Sequence, residues 1–126
     1  MLYGVNQKPQ APMGTQPHWA LLRKVIAQPA IYPLLQAAIA DYVANEVRSS
    51  AATPRIESRR AGAVVLTALD ATWHDAFAQS FPPSDAAGVF GMALWHLLAQ
   101  EPEHWCFAEM PDAPNGGPGG IVYWRI

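Results

Sequence analysis

Residues 103–110, EHWCFAEM, set His104, Cys106 and two acids, Glu103 and Glu109, within eight positions. These are the residue types that bind metals and carry nucleophilic catalysis. His104 and Cys106 stand two apart, so on a strand they share a face and could supply two ligands. A closed zinc site needs four, usually drawn from paired spacings. The other histidines, at 18, 74 and 96, show no such spacing, and Cys106 is the only cysteine. With Trp105 and Phe107 on either side, Cys106 reads as an inert, partly buried thiol. The expectation is a structural strand with no metal and no cofactor.

Asp70 and His74 are the other pair with catalytic spacing. Four apart on a helix, a carboxylate can orient an imidazole as a general base. A nucleophile would then have to come from Cys106 or Ser80, and no local motif assembles one. The glycine-rich run NGGPGG (115–120) has no lysine and no following helix, so its amides have no helix dipole behind them for a phosphate. No catalytic residue is assigned. Each histidine also has a tryptophan beside it in sequence: His18-Trp19, Trp73-His74, Trp95-His96 and His104-Trp105. Neighbours point about 100° apart on a helix and to opposite sides on a strand. The adjacency therefore marks the edge of a core rather than ring contact.

The elements that would position these groups follow from periodicity. Residues 1–14 read as an extended arm, broken by Pro9, Pro12 and Gly14. Pro17 suits the first turn of a helix whose apolar positions are Trp19, Leu22 and Ile26. A second helix begins at Pro33, with Leu35, Ile39, Val43 and Val47 in an i, i+4 ladder. A third runs from about Arg55 to Ser80 on the ladder Val65, Leu69, Trp73, Phe77, continued by Phe81. A fourth is capped by Ser84, spans Asp85 to Gln100, and carries Gly88 and Gly91. Each glycine costs about 1 kcal/mol there, so another backbone is expected close by. HWCFAEM and IVYWRI then form a β-hairpin with a long loop at its tip. The organisation is one domain, 1–126: an arm (1–14), a helical core (15–103) and a hairpin (104–126).

Composition limits what such a domain does. Apolar residues make up 51% and charged residues 14%, against about a quarter charged in an ordinary domain. Disorder is not the expected state, and much of the surface must be neutral or apolar. The longest apolar runs, such as AGAVVL, are too short to span a bilayer, and the N-terminal segment has no signal-peptide pattern. With a single cysteine, the expectation is a cytoplasmic protein with no membrane contact. Net charge is −2, but it is divided. Residues 1–60 hold seven bases against three acids, a net +4; residues 61–126 hold one base against seven acids, a net −6.

Helices followed by a hairpin resemble a winged helix, in which the helix before the hairpin reads the major groove. That helix here, Asp85 to Gln100, has no lysine or arginine, and duplex binding needs phosphate neutralisation first. The fold expected is mainly α (α+β), about four helices closed by a C-terminal β-hairpin, winged-helix-like. The function expected is a non-enzymatic binding or regulatory module that works through protein contacts or self-association. Candidate interaction residues are Arg48, Arg55, Arg59 and Arg60 from the basic stretch, with Trp105, Phe107, Tyr123 and Trp124 from the hairpin. Those four aromatic residues exceed what one strand pair can hide, which points to a homodimer. A nucleic-acid-binding regulator using 48–60 is the alternative, and a small enzyme or ligand-binding protein is third.

Overall fold

The computed structural model describes residues 3–7, 16–49, 54–101, 103–109 and 120–125. In chain order the elements are β1 (Tyr3–Gln7), α1 (Gln16–Ile26), α2 (Tyr32–Ser49), β2 (Arg55–Glu57), α3 (Ser58–Ala68) and α4 (Ala71–Ser80). A 3-10 turn (Pro83–Asp85) leads into α5 (Ala86–Ala99), followed by β3 (Trp105–Glu109) and β4 (Ile121–Arg125). The protein is mainly α, and its C-terminal hairpin is the centre of a larger antiparallel sheet. The strand order is β1-β3-β4-β2.

Both outer strands depart from expectation. The N-terminal arm contributes β1, which pairs antiparallel with β3 across an irregular register. β2 was expected to be the start of a long helix, yet it pairs with β4, Ile56 opposite Tyr123. Ile56 is β-branched and fully buried, so its burial against the sheet outweighs the helical pattern that follows it.

The expected third helix is also divided in the middle. Leu69 leaves α3 with extended backbone, φ −69° and ψ 140°. Asp70 then starts α4 as an N-cap, its Oδ1 accepting from the Trp73 backbone N–H at 2.9 Å. The ladder Val65–Leu69–Trp73–Phe77 is real in sequence, but it crosses two helices. Aspartate favours a cap over a helix interior because its short side chain competes for backbone donors. Trp73 then donates from Nε1 to the Ile31 carbonyl at 2.9 Å and stacks on Phe77 with ring centroids 5.3 Å apart. This fixes α4 to the turn between α1 and α2.

α5 is the central helix. Val89, Phe90, Ala93, Leu94, Trp95 and Leu98 are all buried, too wide a spread for one amphipathic stripe. It packs against α1, α2 and α3. Its start differs from expectation, since Asp85 occupies the N-cap without a side-chain bond and Ser84 lies within the 3-10 turn. In α1, Leu22 and Val25 face the core while Ile26 is exposed. In α2, Leu35 and Ile39 are buried, with Val43 and Val47 packed at the core's edge. Gly88 and Gly91 have no atom within 4 Å of where a Cβ would stand, so no backbone approaches them among the described residues. Gly62 on α3 has the close neighbour instead, with a Cβ placed 3.1 Å from the Phe90 ring.

Candidate functional site

The reactive residues do not converge. Cys106 is buried, and its Sγ lies 3.6 Å from the Trp124 carbonyl oxygen. Burial raises the thiol pKa, so the nucleophilic thiolate is disfavoured. His104 is two residues away but bonds Glu101 through Nδ1 at 3.0 Å. Asp70 is committed to capping α4, while His74 Nε2 lies 2.8 Å from the Leu66 carbonyl, to which that nitrogen donates. The Asp70–His74 dyad therefore does not form. No group of three or more histidine, cysteine, aspartate or glutamate side chains that could hold a metal occurs among the described residues. No helix among them is long and apolar enough to cross a membrane.

The histidine–tryptophan neighbours follow the core-edge reading at two sites. Trp95 and Trp105 are buried, and His96 and His104 are half-exposed. At the Trp73–His74 pair the rings do touch, edge to face with centroids 5.0 Å apart. This contact was not expected. It arises because His74 turns back toward Leu66 over the indole. The side chains of His18 and Trp19 lie outside the described residues.

The hairpin aromatic residues serve within the chain. Phe107 and Tyr123 sit opposite each other, and both meet Trp95 of α5, at centroid distances of 4.6 and 5.9 Å. Trp105 is 1% exposed and lies under the Arg125 guanidinium, 5.5 Å from its centroid. Trp105, Phe107 and Tyr123 are thus buried within the chain, which leaves little of their side-chain surface for a partner. The physical reason is α5, whose apolar breadth covers the sheet face that a hairpin alone would leave open. Trp124 is half-exposed.

The basic stretch does assemble a site. Arg55 and Glu57 of β2, Tyr42 and Glu46 of α2, and Arg60 and Val64 of α3 line an open cleft of about 550 Å³. The phenol of Tyr42 has a raised pKa, first from partial burial and then from the negative field of Glu46. Arg60 acts on it in the opposite sense. Arg55 and Glu57 approach only to 3.9 Å, and the Arg55 side chain is 55% exposed. Glu57 is the N-cap residue of α3, but its carboxylate makes no capping bond. Among the described residues, the acids beside Arg55 and Arg60 in the cleft, Glu46 and Glu57, come from the same half of the chain. Arg48 lies on the exposed surface of α2 and donates to the Asn45 side chain.

Arg59 points elsewhere. It joins Ser58, Gly62, Gly88, Phe90 and Gly91 around a mostly apolar groove of about 580 Å³ between α3 and α5. Gly120 closes one end with φ +82°, and a Cβ there would stand 2.7 Å from Ser58 Oγ. That hydroxyl accepts from the Ile121 N–H at 2.9 Å, tying the start of β4 to the start of α3. The basic stretch pointed to Arg55 and Arg60 of the cleft, whereas no sequence signal identified Tyr42 and Glu46 beside them, or the groove, which joins α3 to α5 across the chain. No family model, curated protein or solved structure matches this chain.

Proposed function

We propose that this chain is a small non-enzymatic binding module whose working surface is the cleft beside β2, and that it acts through protein contacts. The observation that carries this reading is the placement of charge on α3. Its first turn holds Arg59 and Arg60 and no acid. A helix N-terminus is the positive end of the dipole, where a cation is unfavourable by about 0.3–1 kcal/mol. Two arginines held there, one of them facing a half-open cleft with two glutamates, suit contacts that the isolated helix does not reward. Arginine forks pair with carboxylates in two parallel bonds and stack on rings such as Tyr42.

The reading favours protein over nucleic acid. α5, which would read a major groove, spends its width on the core. The cleft also mixes two acids with its two bases, which lowers its attraction for phosphates. The test replaces Arg55, Arg59 and Arg60 together with glutamine. The triple variant should keep its helical circular dichroism and lose self-association or capture of a defined partner, with no sequence-specific duplex binding to lose. Tight, salt-sensitive duplex binding by the wild type, abolished in the variant, would overturn the reading and promote a nucleic-acid regulator.

A further inference from the structure

The cleft also lies beside a strand edge that is unpaired among the described residues. β2 is the last strand in the sheet order, and no described strand lies on its outer side. The Arg125 N–H donates to the Pro54 carbonyl at 3.1 Å. Antiparallel pairs alternate between bonded and non-bonded. The alternation therefore turns the backbone groups of Ile56 toward β4 and those of Arg55 and the N–H of Glu57 outward. An outward row of this kind templates a further strand.

The sequence of β2 says which strand fits. Arg55-Ile56-Glu57 is complementary to itself when paired antiparallel about Ile56. Arg55 then faces Glu57 of a second copy, Glu57 faces its Arg55, and the two-fold axis passes between the two Ile56 residues. Within one chain these charges are poorly used. They are 3.9 Å apart, side by side on one strand, and the Glu57 carboxylate caps nothing. Across a two-fold pair they form two opposed cross-strand contacts, the arrangement that stabilises antiparallel sheets.

We infer that this protein forms a symmetric homodimer by adding β2 of one copy to β2 of the other, joining two four-stranded sheets into one of eight. This rests on the protein-contact reading of the cleft and names its occupant. The Glu57 N–H of each copy donates to the Arg55 carbonyl of the other. Three residues per strand bury too little area by themselves, since a stable interface takes about 800 Å² from each partner. Val64 on α3, 51% exposed, flanks the strand and supplies apolar surface, with Tyr42 on the opposite wall.

The experiment is a charge-swap cycle read by light scattering across micromolar concentrations, with circular dichroism confirming that each variant folds. Arg55→Glu alone sets two pairs of like charges opposite each other, and Glu57→Arg alone does the same with bases. Each should weaken dimerisation roughly tenfold or more. The double variant, Arg55→Glu with Glu57→Arg, restores complementarity and should restore the dimer. A dimer indifferent to both single changes would overturn the inference while leaving the module reading intact. A wild type that remains monomeric at about 100 μM, which puts any dimer Kd well above that concentration, would overturn it as well. Self-association that the triple glutamine variant loses but the charge-swap cycle leaves untouched would keep the module reading and overturn the strand pairing.

Discussion

Three glycines on two facing helices allow the packing of α3 against α5 to be tested by sign. Alanine is favoured over glycine in a helix interior by about 0.8–1 kcal/mol, because glycine loses more backbone freedom on folding. Gly91 is the sixth residue of α5, and among the described residues no atom beyond its chain neighbours and its own helix backbone lies within 4 Å of a built Cβ. Gly91→Ala should therefore stabilise the protein by close to the full amount. Gly88 lies in the first turn, where less of the helix depends on it, and Gly88→Ala should add about half as much. Gly62 has the same helical preference, but its Cβ would come within 3.1 Å of the Phe90 ring, which is 2% exposed and packed in the core. Overpacking typically costs about 1–3 kcal/mol, so Gly62→Ala should come out destabilising by up to about 2 kcal/mol. Urea unfolding followed by circular dichroism measures all three, and in a heat melt 1 kcal/mol corresponds to roughly 4 °C for a chain of this size. Loss of stability in Gly91→Ala would refute the reasoning, since it would mean that the groove over α5 is filled in the folded protein. Equal gains from Gly62→Ala and Gly91→Ala would refute the Phe90 contact.

Two further outcomes follow from single side chains. The Tyr123 hydroxyl is buried with no hydrogen-bond partner among the described residues, and burial strongly raises its pKa above 10.0. The folded state then holds that proton where the unfolded state releases it, so stability is complete below about pH 10 and falls above it by about 1.4 kcal/mol per pH unit. Tyr123→Phe should flatten that alkaline loss without weakening the protein at neutral pH, as urea titrations at pH 7 and 11 would reveal; an unchanged slope would contradict it. Asp70→Ala removes the cap of α4 and should cost about 1 kcal/mol, whereas Asp70→Asn retains an acceptor and should cost little. Thermal melts separate the two, and equal losses would assign Asp70 some role other than capping.

Local chemistry made much of the fold legible in the sequence. The ladder of Leu35 and Ile39 identified α2, and the β-branched and aromatic runs identified β3 and β4. The lone cysteine between aromatic residues read as a partly buried thiol, and Cys106 is buried. Those signals need only near neighbours, because helical and strand periods are properties of a few consecutive residues. Sheet membership is different. Nothing local in Arg55-Ile56-Glu57 or in Tyr3–Gln7 distinguishes a strand from a helix start or an arm, since the hydrogen-bonding partner is far away in the chain. The division at Asp70 was written in its side chain, but a continuous apolar ladder masked it until packing gave Leu69 and Trp73 different helices. The hairpin aromatic residues looked surplus because a strand pair cannot bury them; only α5, apolar on most of its circumference, closes over Phe107 and Tyr123. The cleft arose in the same way: four charges and a tyrosine, unremarkable where each stands in the chain, came together because α2, β2 and α3 meet at one edge of the sheet.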